Sequence, residues 1–136
     1  MALAERHTPH PVQRTAPSRI KRHAALVLGI SATIVDERVR NVLGPDASIW
    51  AIEAEAPDND VLKRSADLAQ FRRQLGTMLD QIKAAHGDDI PLHVFPALPM
   101  SAAIEVGRVA MPKADMPMIV YDQNRRLGGF VRALGL

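Results

Sequence analysis

No cysteine occurs among the 136 residues, which excludes disulfides, thiolate nucleophiles and cysteine-ligated metals together. Aromatic residues are scarce, with one Trp, one Tyr and three Phe making up 4%. Aliphatic side chains and alanine must therefore fill any core. At 47% hydrophobic residues there are enough of them for one compact domain. No apolar run approaches the ~18 residues of a membrane span. The first residues also lack the apolar middle of a secretory signal, so a soluble, cytoplasmic protein is expected. Neither the glycines of a dinucleotide fingerprint nor a Walker loop is present. A conventional NAD or ATP site is therefore not expected, nor any other cofactor.

Excess charge is also largely missing, and what there is sits at one end. The net charge is +2. Residues 1–22 hold five basic residues (Arg6, Arg14, Arg19, Lys21, Arg22) against Glu5 alone, while residues 23–136 carry a balance of −2. The basic excess thus does not describe a folded nucleic-acid-binding face. With Pro9, Pro11, Pro17 and few large apolar residues, 1–22 reads as a flexible basic leader or linker. His7 and His10 lack the further ligands a metal site needs.

From residue 23 on, short apolar runs alternate with helical patterns. Ala24–Ile30 is a continuous apolar run, as expected of a central strand covered on both faces. Asp36 to Leu43 follows as a short helix with Thr33 as its N-cap, stopped by Gly44-Pro45. Ser48 to Glu55 reads as a second strand, with Trp50, Ile52 and Ala54 on one face. Leu68, Phe71, Leu75, Met78, Leu79 and Ile82 recur at helical spacing, and Gly87 closes that helix. Leu92 to Pro96 is a third strand, and a helix opens near Ser101. Met118 to Tyr121 is a fourth strand, Asp122 to Gly129 a polar turn, and Phe130 to Leu134 a short antiparallel return. This order predicts an α/β fold: a Rossmann-like, mostly parallel sheet with helices on both faces and a C-terminal antiparallel strand.

Ligands of open parallel sheets bind beyond the carboxyl ends of the strands. Four segments fall there: Ser31-Ala-Thr33, Glu55-Ala-Pro57, Ala97 to Ser101, and Asp122-Gln-Asn-Arg125. Ser101, Ser31 and Thr33 stand where helix-start N–H groups and the dipole favour an anion. An ordinary cap is the commoner reading of such residues. Asp122, Gln123 and Asn124 suit base edges or ribose hydroxyls, or simply a hydrophilic turn. Arg125 suits a phosphate or solvent. Glu55 suits a base amino group or a strand end. His93, inside a strand, reads as a packed histidine. No nucleophile–base–orienter set emerges, so the residues by themselves favour a binding domain over an enzyme, with no catalytic and no metal-ligating residues.

The stretch Leu92-His-Val-Phe-Pro-Ala-Leu-Pro-Met-Ser-Ala-Ala-Ile-Glu-Val-Gly-Arg108 adds a sharper signal. It continues through Met111-Pro-Lys-Ala-Asp-Met-Pro117 and Ile119-Val-Tyr-Asp-Gln123. It closely resembles the C-terminal, CARF-like half of SAVED domains, the cyclic-oligonucleotide sensors of bacterial anti-phage systems. That family's pattern is a strand ending in Phe-Pro-Ala-x-Pro, a helix opening with Ser and carrying Glu-x-Gly-Arg, a Pro-Lys-Ala-Asp segment, and a strand ending in Tyr-Asp.

The resemblance implies a sensor module for a cyclic di-, tri- or tetranucleotide, acting in CBASS or type III CRISPR defence. Such modules transmit binding by oligomerisation to an effector. It implies a ligand site among Ser31, Thr33, Glu55, Pro99, Ser101, Asp122, Gln123, Asn124 and Arg125. Arg108 and Lys113 match the family pattern but fall at the far end of the helix, where they suit contact between protomers or structure. A full domain of this family holds two such units, so 23–136 corresponds to one. The chain is then a single-unit protein, a subunit of a split system or a fragment. The alternatives are an interaction subunit that binds no ligand alone, and a ring nuclease that cleaves the messenger. Expected partners are thus the cyclic nucleotide, an effector domain or subunit, and a second copy or partner half, with no membrane.

Overall fold

Strand β2 (His23–Gly29) organises the molecule, because both of its faces are apolar. Ala24, Leu26 and Leu28 enter one buried cluster and Ala25 and Val27 the other. A strand buried on both faces needs neighbours on both edges to satisfy its backbone, and β2 has them. It pairs in parallel with β3 (Ala47–Ala54) on one side and β4 (Leu92–Ala97) on the other. The computed structural model describes residues 12–58, 60–62, 64–87, 89–99, 102–104, 106, 117–124 and 129–135. Strand β5 (Met118–Asn124) runs parallel to β4, and β6 (Gly129–Gly135) returns antiparallel beside it. With β1 (Val12–Thr15) antiparallel to β3, the six-stranded order is β1-β3-β2-β4-β5-β6.

The leader differs from expectation at β1. Val12 is 1% exposed and packs in the larger cluster, while register pairs Val12 with Ala54 and Thr15 with Ala51. Proline and charge concealed the strand, since four residues carry too little pattern to be read alone. A second tether follows it. Ser48, buried on β3, accepts a hydrogen bond from the Lys21 N–H and donates one to the Arg19 carbonyl at 3.2 Å. Chain entry is therefore fixed on the sheet well before β2 begins.

Helix α1 (Asp36–Leu43) covers one face through Val39, and α2 (Ser65–His86) covers the other through Phe71, Leu75, Met78, Leu79 and Ile82. Both end at glycines with positive φ, Gly44 and Gly87, whose N–H groups close on the Arg40 and Lys83 carbonyls at 2.7 and 2.8 Å. Thr33 is not the α1 cap. Val35 holds that position with no side-chain hydrogen bond, and Asp36 and Glu37 in the first turn complement the dipole instead. Residues 102–104 and 106 are helical, and Ala102 packs on the α2 side. The helices thus flank a mostly parallel α/β sheet, as the alternation predicts.

Trp50 shows how the α2 side is sealed. Its indole N–H donates to His86 Nε2 at 3.1 Å, and the rings meet edge to face. Burial pushes the His86 imidazole below its usual 6.5, because a partly dry site disfavours the charged ring. Unfolded chains therefore take up this proton before folded ones do. The stability His86 contributes is complete above pH 6.5 and is lost as pH falls through the depressed folded value. Trp50 is the single tryptophan. Its fluorescence should therefore titrate with a midpoint below 6.5. A midpoint at or above that value would contradict the burial argument.

Candidate functional site

The chain leaves β2 for β3 on one side, and α2 then carries it back past β2 to β4. Loops from the adjacent strands β2 and β4 consequently depart to opposite faces. This is a topological switch point, and open α/β sheets bind ligands at such points, beyond the carboxyl ends of the strands. Backbone bonds tie this rim together. The Ile30 and Ser31 N–H groups both donate to the Ala97 carbonyl, at 3.0 and 2.8 Å. The Ile30 carbonyl accepts from the Asp58 N–H at 3.1 Å. The loops after β2, β3 and β4 thus form one connected platform.

The candidate residues divide over this platform. Ser31 and Pro99, both half-buried, stand two residues past the ends of β2 and β4. The Ser31 amide is committed to Ala97, so it is not a helix-start donor for an anion; what Ser31 offers there is its hydroxyl. The Pro99 carbonyl accepts the Ala103 N–H at 3.1 Å, so helical bonding begins at Pro99, two residues after β4 ends. Thr33 and Glu55 sit one strand further, around a hollow of about 250 Å³ shared with Gln13, Thr15, Glu53 and Pro57. Asp122, Gln123 and Asn124 are not a turn. They continue β5, paired with Val131, Phe130 and Gly129. An antiparallel ladder is held by backbone groups, so polar residues did not end the strand. Ser101 and Arg125 lie outside the described residues.

Glu53 is the residue that sequence reading missed. It lies on the α1 face of β3, and its carboxylate reaches over Gly29 at the end of β2. A Cβ built on Gly29 would stand 3.5 Å from Glu53 Cγ and 3.2 Å from the Ala32 carbonyl. Burial, then the nearby Asp36 carboxylate, push the Glu53 carboxyl above its ordinary 4.5. The available signal was a charged residue on the inward-facing alternation of a strand. The folded state holds this proton more tightly, so ionisation costs stability as pH rises from 4.5 through the raised value. Glu53→Gln should therefore raise the urea midpoint at about pH 7 and lose that advantage near pH 4. An unchanged or lower midpoint at neutral pH would contradict it.

His93 is the packed histidine expected from its strand. Its Nδ1 lies 2.8 Å from the Tyr121 hydroxyl and its ring meets His23 edge to face, with Tyr121 stacked in turn on Phe95. Among the described residues, no cluster of three or more His, Asp or Glu could hold a metal ion. No described helix is long and apolar enough to cross a membrane.

Residues 4–136 match the family model of the SAVED domain, the SMODS-associated and fused to various effectors sensor domain. The chain belongs to the SAVED family. Solved structures of the Acinetobacter baumannii Cap4 SAVED/CARF-domain containing receptor share this fold. One, with the cyclic trinucleotide 3'3'3'-cAAA, has a TM-score of 0.65 at 12% identity. It covers 95% of this chain and 28% of that one. A second, with 2'3'3'-cAAA, has a TM-score of 0.61 at 14% identity over the same shares. A third, of the receptor, has 0.59 at 12%, covering 93% and 26%. This SAVED chain therefore spans little more than a quarter of the receptor it resembles. No curated protein matches it significantly.

Proposed function

We propose that this SAVED chain is a sensor module that binds a cyclic oligonucleotide at the strand-end rim and passes the event on by assembly. The observation that carries the reading is the switch point between β2 and β4, in a chain of a sensor-domain family. Neighbouring strand ends stand about 4.8 Å apart, so β3, β2 and β4 together span a footprint of about 10 Å. A small cyclic nucleotide needs a platform on that scale. Ser31, Pro99 and Ser101 would border it, with Thr33 and Glu55 on the β3 side. Asp122, Gln123, Asn124 and Arg125 would approach from β5. The carboxylates suit ligand donors, such as base amino groups and ribose hydroxyls, rather than phosphates. The module carries out no chemistry on its ligand, acts in the cytoplasm, and hands its signal to an effector domain or subunit in anti-phage defence.

Thermal melting with cyclic di-, tri- and tetra-adenylates tests this. A ligand at a hundred times its Kd adds about 2.7 kcal/mol, which at this chain length raises Tm by roughly 5–10 °C. At least one member of the panel should produce that shift, and chromatography should return the ligand uncleaved. Linear products would replace the sensor reading with a ring nuclease. No shift across the panel would remove ligand binding from the isolated chain. The share of the receptor spanned, 28%, favours a second reading for that outcome: an interaction subunit that completes a pocket only with a partner half.

A further inference from the structure

A second hollow, of about 220 Å³, shares Thr15 with the first and extends toward the start of β3, between α1 and the segment that enters the sheet. Its floor is Ala47 and Ile49, at the beginning of β3. Arg19 and Lys21 line it from one side and Arg40 from the other, with the Thr15 and Ser18 hydroxyls between them. Among the described residues Asp36 is the one carboxylate in the lining, 3.9 Å from the Arg40 guanidinium. Three cations against one anion make this concavity locally positive, on a chain whose residues 23–136 are net negative.

Solvated surface cations usually belong to mobile segments, and these do not. Ser48 is 1% exposed. Burying a hydroxyl is costly unless it is hydrogen-bonded, and Ser48 spends both its bonds on the backbone of Arg19 and Lys21. The Lys21 ammonium is held further by the Pro45 carbonyl at 3.2 Å. The basic arm is thereby fixed facing Arg40, which lowers the ordering cost a ligand must overcome. Arginine pairs with hydroxyls around a concavity match tetrahedral oxyanions, whose oxygens accept several donors at once.

We propose that this hollow is a separate anion site, taking the phosphate or pyrophosphate group of a small molecule. The full chain titrated calorimetrically with inorganic pyrophosphate should show saturable one-site binding that weakens with added salt. Arg19→Gln and Arg40→Gln should each weaken it about tenfold without moving the melting temperature, since both side chains are exposed. Arg73→Gln, on the exposed side of α2, should leave it unchanged. Citrate, a carboxylate of comparable charge, should bind more weakly. The absence of saturable binding, equal loss in Arg73→Gln, or equal binding of citrate would each overturn the proposal.

Discussion

Phe71→Ala is expected to lower unfolding stability by about 3–5 kcal/mol, a large share of the roughly 5–15 kcal/mol of a typical domain. Phe71 is fully buried, with 0% exposure, among Leu26, Leu28, Ile52 and Leu75. Helix α2 carries 22 residues and packs on the sheet through its apolar stripe, with the Trp50–His86 hydrogen bond at its end. Phe71 is the largest side chain in that stripe and stands in its first half. Leu26, Leu28 and Ile52 belong to strands held in register by their neighbours, so they cannot move inward to fill the void. The loss should therefore contain both the transfer of the ring to water and the cavity left behind. Urea unfolding checks it: the midpoint should fall sharply with an unchanged slope. Phe71→Leu should recover most of the loss. A loss below about 1 kcal/mol would mean that α2 is held by something other than this stripe.

Phe95→Ala should cost about 3 kcal/mol or more on the opposite face, for a partly different reason. The α1 side is covered by a helix of eight residues, and its cluster includes the small Ala25, Ala47 and Ala51. Phe95 supplies much of the volume there. It stacks on Tyr121 with centroids 4.6 Å apart and planes 4° from parallel, adding to simple burial. It also stands two residues before Ala97, whose carbonyl gathers the Ile30 and Ser31 amides at the rim. The substitution should thus weaken any ligand-induced rise in Tm as well as the fold. Phe95→Leu separates the two contributions. It keeps most of the volume but removes the ring current, so the proton resonances of Tyr121, the single tyrosine, should move downfield while stability falls by less. Unmoved Tyr121 resonances would contradict the stack.

Legibility differed from element to element. The two long apolar signals, Ala24–Ile30 and the 71–82 stripe, identified a central strand and its covering helix, because periodicity reports burial directly. The alternation of Trp50, Ile52 and Ala54 likewise assigned the correct face of β3. Misreadings arose where side-chain chemistry and backbone bonding diverge. Polar Asp122, Gln123 and Asn124 looked like a turn but sit in a ladder. Thr33 looked like a cap, but the helix starts two residues after the position that could use it. The basic leader looked unanchored, yet Ser48, far along the chain, holds its second half.

The candidate site shows the same division. Which loops could carry a ligand followed from strand order alone, since parallel strands expose their ends on one rim. That Glu53 reaches Gly29, that Ser31 gives its amide to Ala97, and that Arg19 faces Arg40 could not follow from it. Local sequence determines what each segment is able to bury, so the α/β class, the central strand and the family motif were all written in the chain. Only tertiary pairing decides which distant donor meets which acceptor, because those bonds join residues whose separation along the chain carries no periodic trace. The sequence alone thus determined the scaffold and the rim where a ligand site was to be sought. The folded structure decided which side chains line the two hollows.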